Sequence, residues 1–205
     1  MANSTPPELA EAHTEATPTQ DDQRLLLVSI FIIAGCSLIY ELLISSLSTY
    51  LLGSGVVHYS ITIGLFLFFM GVGSWLAQYV REDLLDTFVK IEIALGLVGG
   101  LSAVLLYAAY AWTQYYYPAM LVVIATISTL VGMEIPLLTR VIERGRGIRQ
   151  GLSDVLATDY VGALAASLLF PFILLPYLGH LLTAFAIGAV NLLVALVVLW
   201  HFRKH

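Results

Sequence analysis

Residues 118–142 read PAMLVVIATISTLVGMEIPLLTRVI, an apolar run that carries a carboxylate, Glu134, and a proline, Pro136, close to its basic end. About 20 such residues suffice for a helix to cross the hydrocarbon core of a bilayer. Five further segments share this character, and the six predicted helices cover approximately 25–52, 59–80, 91–113, 118–142, 153–178 and 180–202. In lipid a helix satisfies its own backbone groups, so the expected fold is an all-α, polytopic integral membrane bundle of six transmembrane helices. The first segment exceeds the length needed, which predicts tilt, or a break near SSLSTYLLGSG at 45–55. Pro171 and Pro176 predict a kinked or partly unwound outer end for the fifth.

Composition agrees. The chain has 205 residues, 59% hydrophobic and 11% charged, with a mean hydropathy of +0.89. A soluble domain averages about 25% charged residues. No room remains for a second globular domain, and no nucleic-acid partner is expected. The single cysteine, Cys36, excludes an internal disulfide and reads as a small hydrophobe inside an apolar run. Residues 1–24 are rich in Pro, Thr, Ala and acids, with no apolar stretch. They read as a disordered acidic tail preceding a transmembrane domain at 25–205, and no secretory signal peptide is evident.

Charge placement gives an orientation. The cations are Arg24, Arg81, Lys90, Arg140, Arg144, Arg146, Arg149, Arg203 and Lys204. With six helices they fall on the amino-terminal flank, the 2–3 and 4–5 connections and the carboxy-terminal flank. Basic residues stay on the cytoplasmic side, so both termini are expected inside.

Five acids lie within the apolar segments: Glu41, Glu92, Glu134, Asp154 and Asp159. A charge at mid-bilayer costs at least about 2.5–3.5 kcal/mol, so such residues face protein or water and mark sites. Glu92 and Asp154 are expected at the cytoplasmic helix ends, with Ser153-Asp154 as an N-cap. Glu134 is six residues from Arg140 and Asp159 six from Ser153, which sets both about 9 Å inside the inner boundary. Glu41 lies deeper, beside Tyr40, and Pro136 removes a backbone donor next to Glu134. These residues read either as structural glue between helices or as a cation or proton site.

Small residues at helical spacing predict close packing: Gly96 and Gly100 beyond Glu92; Gly64, Gly71 and Gly73; and Gly162, Ala166 and Ser167. Gly35 before Glu41 and Gly132 before Glu134 open two successive three-helix units, which raises the prospect of an inverted 3+3 repeat. Glycine-rich nucleotide loops and paired Cys or His at metal spacing are absent. No metal site is expected. His58, His180, His201 and His205 fall at helix ends, where solvation is the simple reading.

The stretches FIIAGCSLIYELLISSLSTYLLGSGVVHYSITIGLFLFFMGVGSWLA (31–77), FVKIEIALGLVGGLSA (88–103), LVGMEIPLLTRVI (130–142) and LSDVLATDYVGALAASLLFPFILLPYLG (152–179) resemble the amino-terminal membrane domain of bacterial membrane-bound polyamine aminopropyltransferases, the spermidine synthase family. The resemblance covers about residues 25–202. It implies a bacterial inner membrane and a cytoplasmic Rossmann-like domain that transfers an aminopropyl group from decarboxylated S-adenosylmethionine to putrescine. That cofactor-like substrate belongs to the soluble domain, and this chain carries no catalytic residues of its own. A polyamine-binding role is therefore expected for Glu134, Asp159, Glu41 and Tyr40, supported by Glu92, Asp154 and Pro136. Expected partners are the bilayer, a polyamine, and a cytoplasmic aminopropyltransferase domain or other membrane subunits. Two other readings remain open at this point: an independent small cation or polyamine transporter, and a structural subunit of a larger membrane complex.

Overall fold

Long apolar runs leave the backbone to satisfy itself, and the chain does so in helices. The structure, a computed structural model, describes residues 20–81, 83–112, 115–146 and 148–203, with side chains for all of these but 20–23 and 143–151. The expected acidic tail lies largely outside the described residues, at 1–19, and a helix is already present from Gln20. The order is α1 (Gln20–Leu52), α2 (Gly55–Ala77), α3 (Leu84–Ala111), α4 (Tyr116–Arg146) and α5 (Ile148–Leu169), then a π-helical turn (Phe170–Leu174) and α6 (Leu175–Arg203). Strands are absent from the described residues.

Five stretches are long and apolar enough to cross a membrane: Arg24–Leu52, Gly55–Ala77, Leu84–Ala111, Tyr116–Ile142, and a 52-residue stretch Leu152–Arg203. Their outward faces are apolar too, with Val56, Phe68, Tyr160, Phe172 and Leu193 all exposed. Apolar surface of that extent suits a lipid environment.

The long first segment is unbroken through SSLSTY. It stops at Gly53 (φ 76°) and Ser54 (φ 52°), whose left-handed backbone turns the chain into α2. His58 secures that turn: with its proton on Nδ1 it donates to Gly53 O at 2.6 Å. His58 is thus buried, 3% exposed, where solvation was expected. Its role is to serve the carbonyls left free where α1 ends.

The two prolines mark the second irregularity. Pro171 sits in the π-helical turn, where the Leu175 N–H reaches back to Phe170 O. Gly179 then adopts φ 66°, ψ −173° inside α6. Thr183 Oγ1 donates to Leu174 O at 3.3 Å, groups that nine residues of straight helix would hold about 13.5 Å apart. The chain therefore turns back at Gly179, the residue at which the expected fifth and sixth segments divide.

Helix α1 is the hub and packs against all five others. The remaining partnerships form a regular scheme. α1 packs on α5 as α4 packs on α2, α3 packs on α4 as α6 packs on α1, and α1 meets α2 as α4 meets α5. α3 and α6 pack on each other, and a small α1–α3 contact departs from the scheme. Exchanging the first three helices for the last three otherwise leaves the pairing unchanged.

Backbones approach closely at these interfaces. A Cβ on Gly132 would lie 2.1 Å from Met70 O, one on Gly73 2.0 Å from Thr129 O, and one on Gly162 2.3 Å from Phe31 O. Gly96 and Gly188 meet across α3 and α6 in the same way. Gly64 and Gly71, expected to assist packing, instead face open space, and a Cβ there would meet nothing within 4 Å. Cross-helix contacts tie the ends. Tyr116 Oη donates to Ser48 Oγ at 2.9 Å, and His180 Nε2 lies 3.0 Å from Ser46 Oγ at that same end. At the other end Arg140 Nη1 donates to Val80 O at 2.8 Å.

Candidate functional site

Helical spacing brings polar groups from several helices to one place. Ala34, Ser37, Leu38 and Glu41 share a face of α1 at i, i+3, i+4 and i+7. Val131, Glu134 and Ile135 do the same on α4, Asp159 and Ala163 on α5, and Phe66 and Met70 on α2. Together they line a cavity of about 110 Å³. Glu41 and Asp159 keep part of their surface exposed, whereas Glu134 is only 4% exposed. Three carboxyl groups from three helices thus converge on one space.

Behind Glu134 lies Glu92 of α3, fully buried at 0% exposure. The two carboxyl groups face each other across the α3–α4 interface, close enough to interact directly. Both Glu92 oxygens and Glu134 Oε1 lack a hydrogen-bond partner, and no basic side chain among the described residues reaches them. The expectation of Glu92 at the cytoplasmic end of its helix is corrected. α3 begins at Leu84, so Glu92 sits more than two turns inside it. The turn Leu84–Lys90 is amphipathic, with Lys90 paired to Asp86 on the exposed side, and it continues the helix toward solvent.

The other expected site residues separate. Tyr40 neighbours Glu41 in sequence but lies about 100° around α1, and it points toward α3 and α6. Its hydroxyl donates to Leu95 O at 3.4 Å and accepts from Asn191 Nδ2 at 3.4 Å. It does not line the cavity. Asp154 is no N-cap, because α5 starts at Ile148; its carbonyl accepts from Thr158 Oγ1 at 2.7 Å. Pro136 sits within a continuous α4, and its missing N–H is the one that would serve the Gly132 carbonyl. Neither Asp154 nor Pro136 lines the cavity.

Asn191 was not singled out from sequence. It is 2% exposed, with Oδ1 unpartnered. Its signal was an amide three residues past Gly188 inside the apolar run of α6. Cys36 is buried one position from Ser37, as a small hydrophobe would be. Among the described residues no group of three or more His, Cys, Asp and Glu side chains has an arrangement suited to a metal ion.

Three relatives are similar to this chain over most of its length. A polyamine aminopropyltransferase of Leptospira interrogans is 44% identical over 178 residues, 87% of this chain and 36% of the relative. Polyamine aminopropyltransferase 1 of Ralstonia nicotianae is 43% identical over 201 residues, 97% of this chain and 38% of the relative. Polyamine aminopropyltransferase 1 of Streptomyces coelicolor is 42% identical over 189 residues, 91% and 36% respectively. The chain spans little more than a third of the length of these relatives. No family model matches it, and no solved structure does.

Proposed function

The chain belongs to the polyamine aminopropyltransferase family as its amino-terminal membrane domain, and on that premise we propose that it anchors polyamine synthesis at a bacterial inner membrane and holds a cationic amine between α1, α4 and α5. The observation that carries the binding reading is the convergence of Glu41, Glu134 and Asp159 on one cavity. An alkylammonium group has three N–H donors and no acceptor. Three carboxyls from three directions complement it, and the apolar walls of Phe66, Met70 and Ile135 suit its methylene chain. Rings of acidic side chains select cations on the same electrostatic ground. Aminopropyl transfer itself, with decarboxylated S-adenosylmethionine as donor, belongs to the remainder of the family's length.

In this reading the helices cross the bilayer six times with both termini inside. The reversal at Gly179 supports two crossings within the last apolar stretch. The Arg140–Val80 contact supports a shared cytoplasmic side for the ends of α2 and α4. Alternating reporter fusions, active outside after residues 54, 114 and 179 and inside after residues 82 and 147, test this topology.

The binding test uses purified protein and spermidine. Losing one charge-assisted contact is worth about 1.5–3 kcal/mol, or a tenfold loss or more. Glu134→Gln combined with Asp159→Asn should weaken binding by at least that factor, and unchanged affinity rejects the site.

A second reading, cation transport, is favoured by one observation. The pairing scheme is preserved on exchanging α1–α3 for α4–α6, as an inverted 3+3 repeat would require. α1 and α4 are counterparts in that scheme and carry Glu41 and Glu134; transporters hold substrate at such a repeat interface. Spermidine flux into liposomes bearing the chain distinguishes transport from static binding.

A further inference from the structure

The cavity has a second layer that the cation reading does not use. Glu92 is fully buried behind Glu134, and both of its oxygens lack partners. Around the pair, α1 presents Cys36, Ser37 and Tyr40 and α5 presents Asp159; Glu41 shares the cavity with Glu134, and the neutral amide of Asn191 on α6 reaches Tyr40. The α2 residues at the cavity, Phe66 and Met70, do not titrate. Among the described residues no cation stands in this surrounding. Two facing carboxylates are both acceptors, so nothing bonds them to each other unless a hydrogen lies between them. Two buried like charges that face each other also repel strongly, which a shared proton relieves.

The geometry points to a cation-for-proton exchange site: Glu92 and Glu134 share one proton when the cavity is empty, and an alkylammonium binding at Glu134 displaces it. This rests on the cation-binding reading above and adds the counter-ion. The balance is simple. The carboxylic acid–carboxylate pair holds one proton and one negative charge. The incoming ammonium donates its N–H bonds to Glu134, Glu41 and Asp159. The O–H bond of the pair breaks, its electron pair stays on the carboxylate, and the proton leaves to water past the partly exposed Glu41 and Asp159. One positive charge replaces another, so the buried site never carries two uncompensated carboxylates. No redox step or co-reactant is involved.

The exchange makes binding tighter as pH rises, because the released proton is a product of the binding equilibrium. Calorimetric titration of the full chain in detergent with spermidine, in two buffers of different ionisation enthalpy, reads the protons released. About one proton per bound spermidine is expected for the native protein near neutral pH. In Glu92→Gln the amide can donate to Glu134 and hold it ionised, so whatever binding remains should proceed without release. An infrared difference spectrum of the native protein needs no variant: spermidine should remove a protonated-carboxyl band. Spermidine binding with no proton release, or with that band unchanged, overturns the exchange and leaves the cation site standing. Absence of spermidine binding removes the site itself, and the exchange with it.

Discussion

Replacing Gly132 by alanine tests the packing that holds the cavity together. Its added Cβ would lie 2.1 Å from Met70 O, with Met70 C and Cα at 2.7 Å. An ordinary C···O contact is about 3.3–3.6 Å, so the methyl overlaps backbone by more than an ångström. Backbone cannot rotate aside as a side-chain tip can. α2 and α4 must separate, and overpacking of this kind costs about 1–3 kcal/mol. The same substitution at Gly64 meets nothing within 4 Å. There alanine gains the helix preference of about 0.5–1 kcal/mol over glycine. The two variants should therefore differ by about 1.5–4 kcal/mol, with opposite signs relative to the native chain. Unfolding by SDS in mixed micelles, followed through Trp75, Trp112 and Trp200, reads the difference directly. Met70 and Glu134 both line the cavity, so Gly132→Ala should also weaken spermidine binding. Equal stabilities for the two variants would refute the close α2–α4 approach and the cavity geometry that depends on it.

Three further outcomes are expected. Tyr40→Phe removes the acceptor of Asn191 Nδ2 and should cost about 1–3 kcal/mol in SDS unfolding, with spermidine affinity unchanged because Tyr40 lies outside the cavity. Arg140→Ala removes the donor to Val80 O, so amide exchange at residues 77–80 should accelerate while the far end of the bundle stays protected. Cys36, 3% exposed, should resist a membrane-permeant maleimide in native micelles and react fully once SDS has unfolded the chain.

Much of the architecture was legible because its signals are large. Apolar runs bounded by charge locate helices, and Pro171 with Pro176 located the distortion that appears as the π-helical turn and the bend at Gly179. Azimuth and helix limits were less legible. Tyr40 and Glu41 are adjacent in sequence and share a depth, yet one residue of rotation sends them to different interfaces. Glu92 looked terminal because hydropathy begins at Ile91, while the helix begins at Leu84; an amphipathic turn is invisible to hydropathy alone. Asp154 looked like a cap for the same reason at the start of α5. Gly64 and Gly73 have the same composition signal, and only the identity of the facing helix separates an open glycine from one in backbone contact. Sequence carried a common depth for Glu134 and Asp159, whereas the presence of Glu41 in the same cavity and the pairing of Glu92 with Glu134 required knowing which helix faces lie against one another.

The position of α1 at the hub has a consequence for biogenesis. This helix is made before the other five, and its polar side chains find their distant partners late: Tyr40 on residues 55 and 151 positions onward, Ser48 on residues 68 and 72 onward, and Ser46 on one 134 onward. Until then Ser37, Ser45 and Thr49 bond to carbonyls four residues back on the same helix, which masks three hydroxyls without any neighbour. Tyr40, Glu41 and Ser48 have no such refuge. A ribosome must add more than a hundred residues before Asn191 exists to receive Tyr40 and His180 to receive Ser46, so α1 waits in the membrane as an incompletely satisfied helix. Nascent chains stalled before α6 should be the ones that quality-control proteases remove.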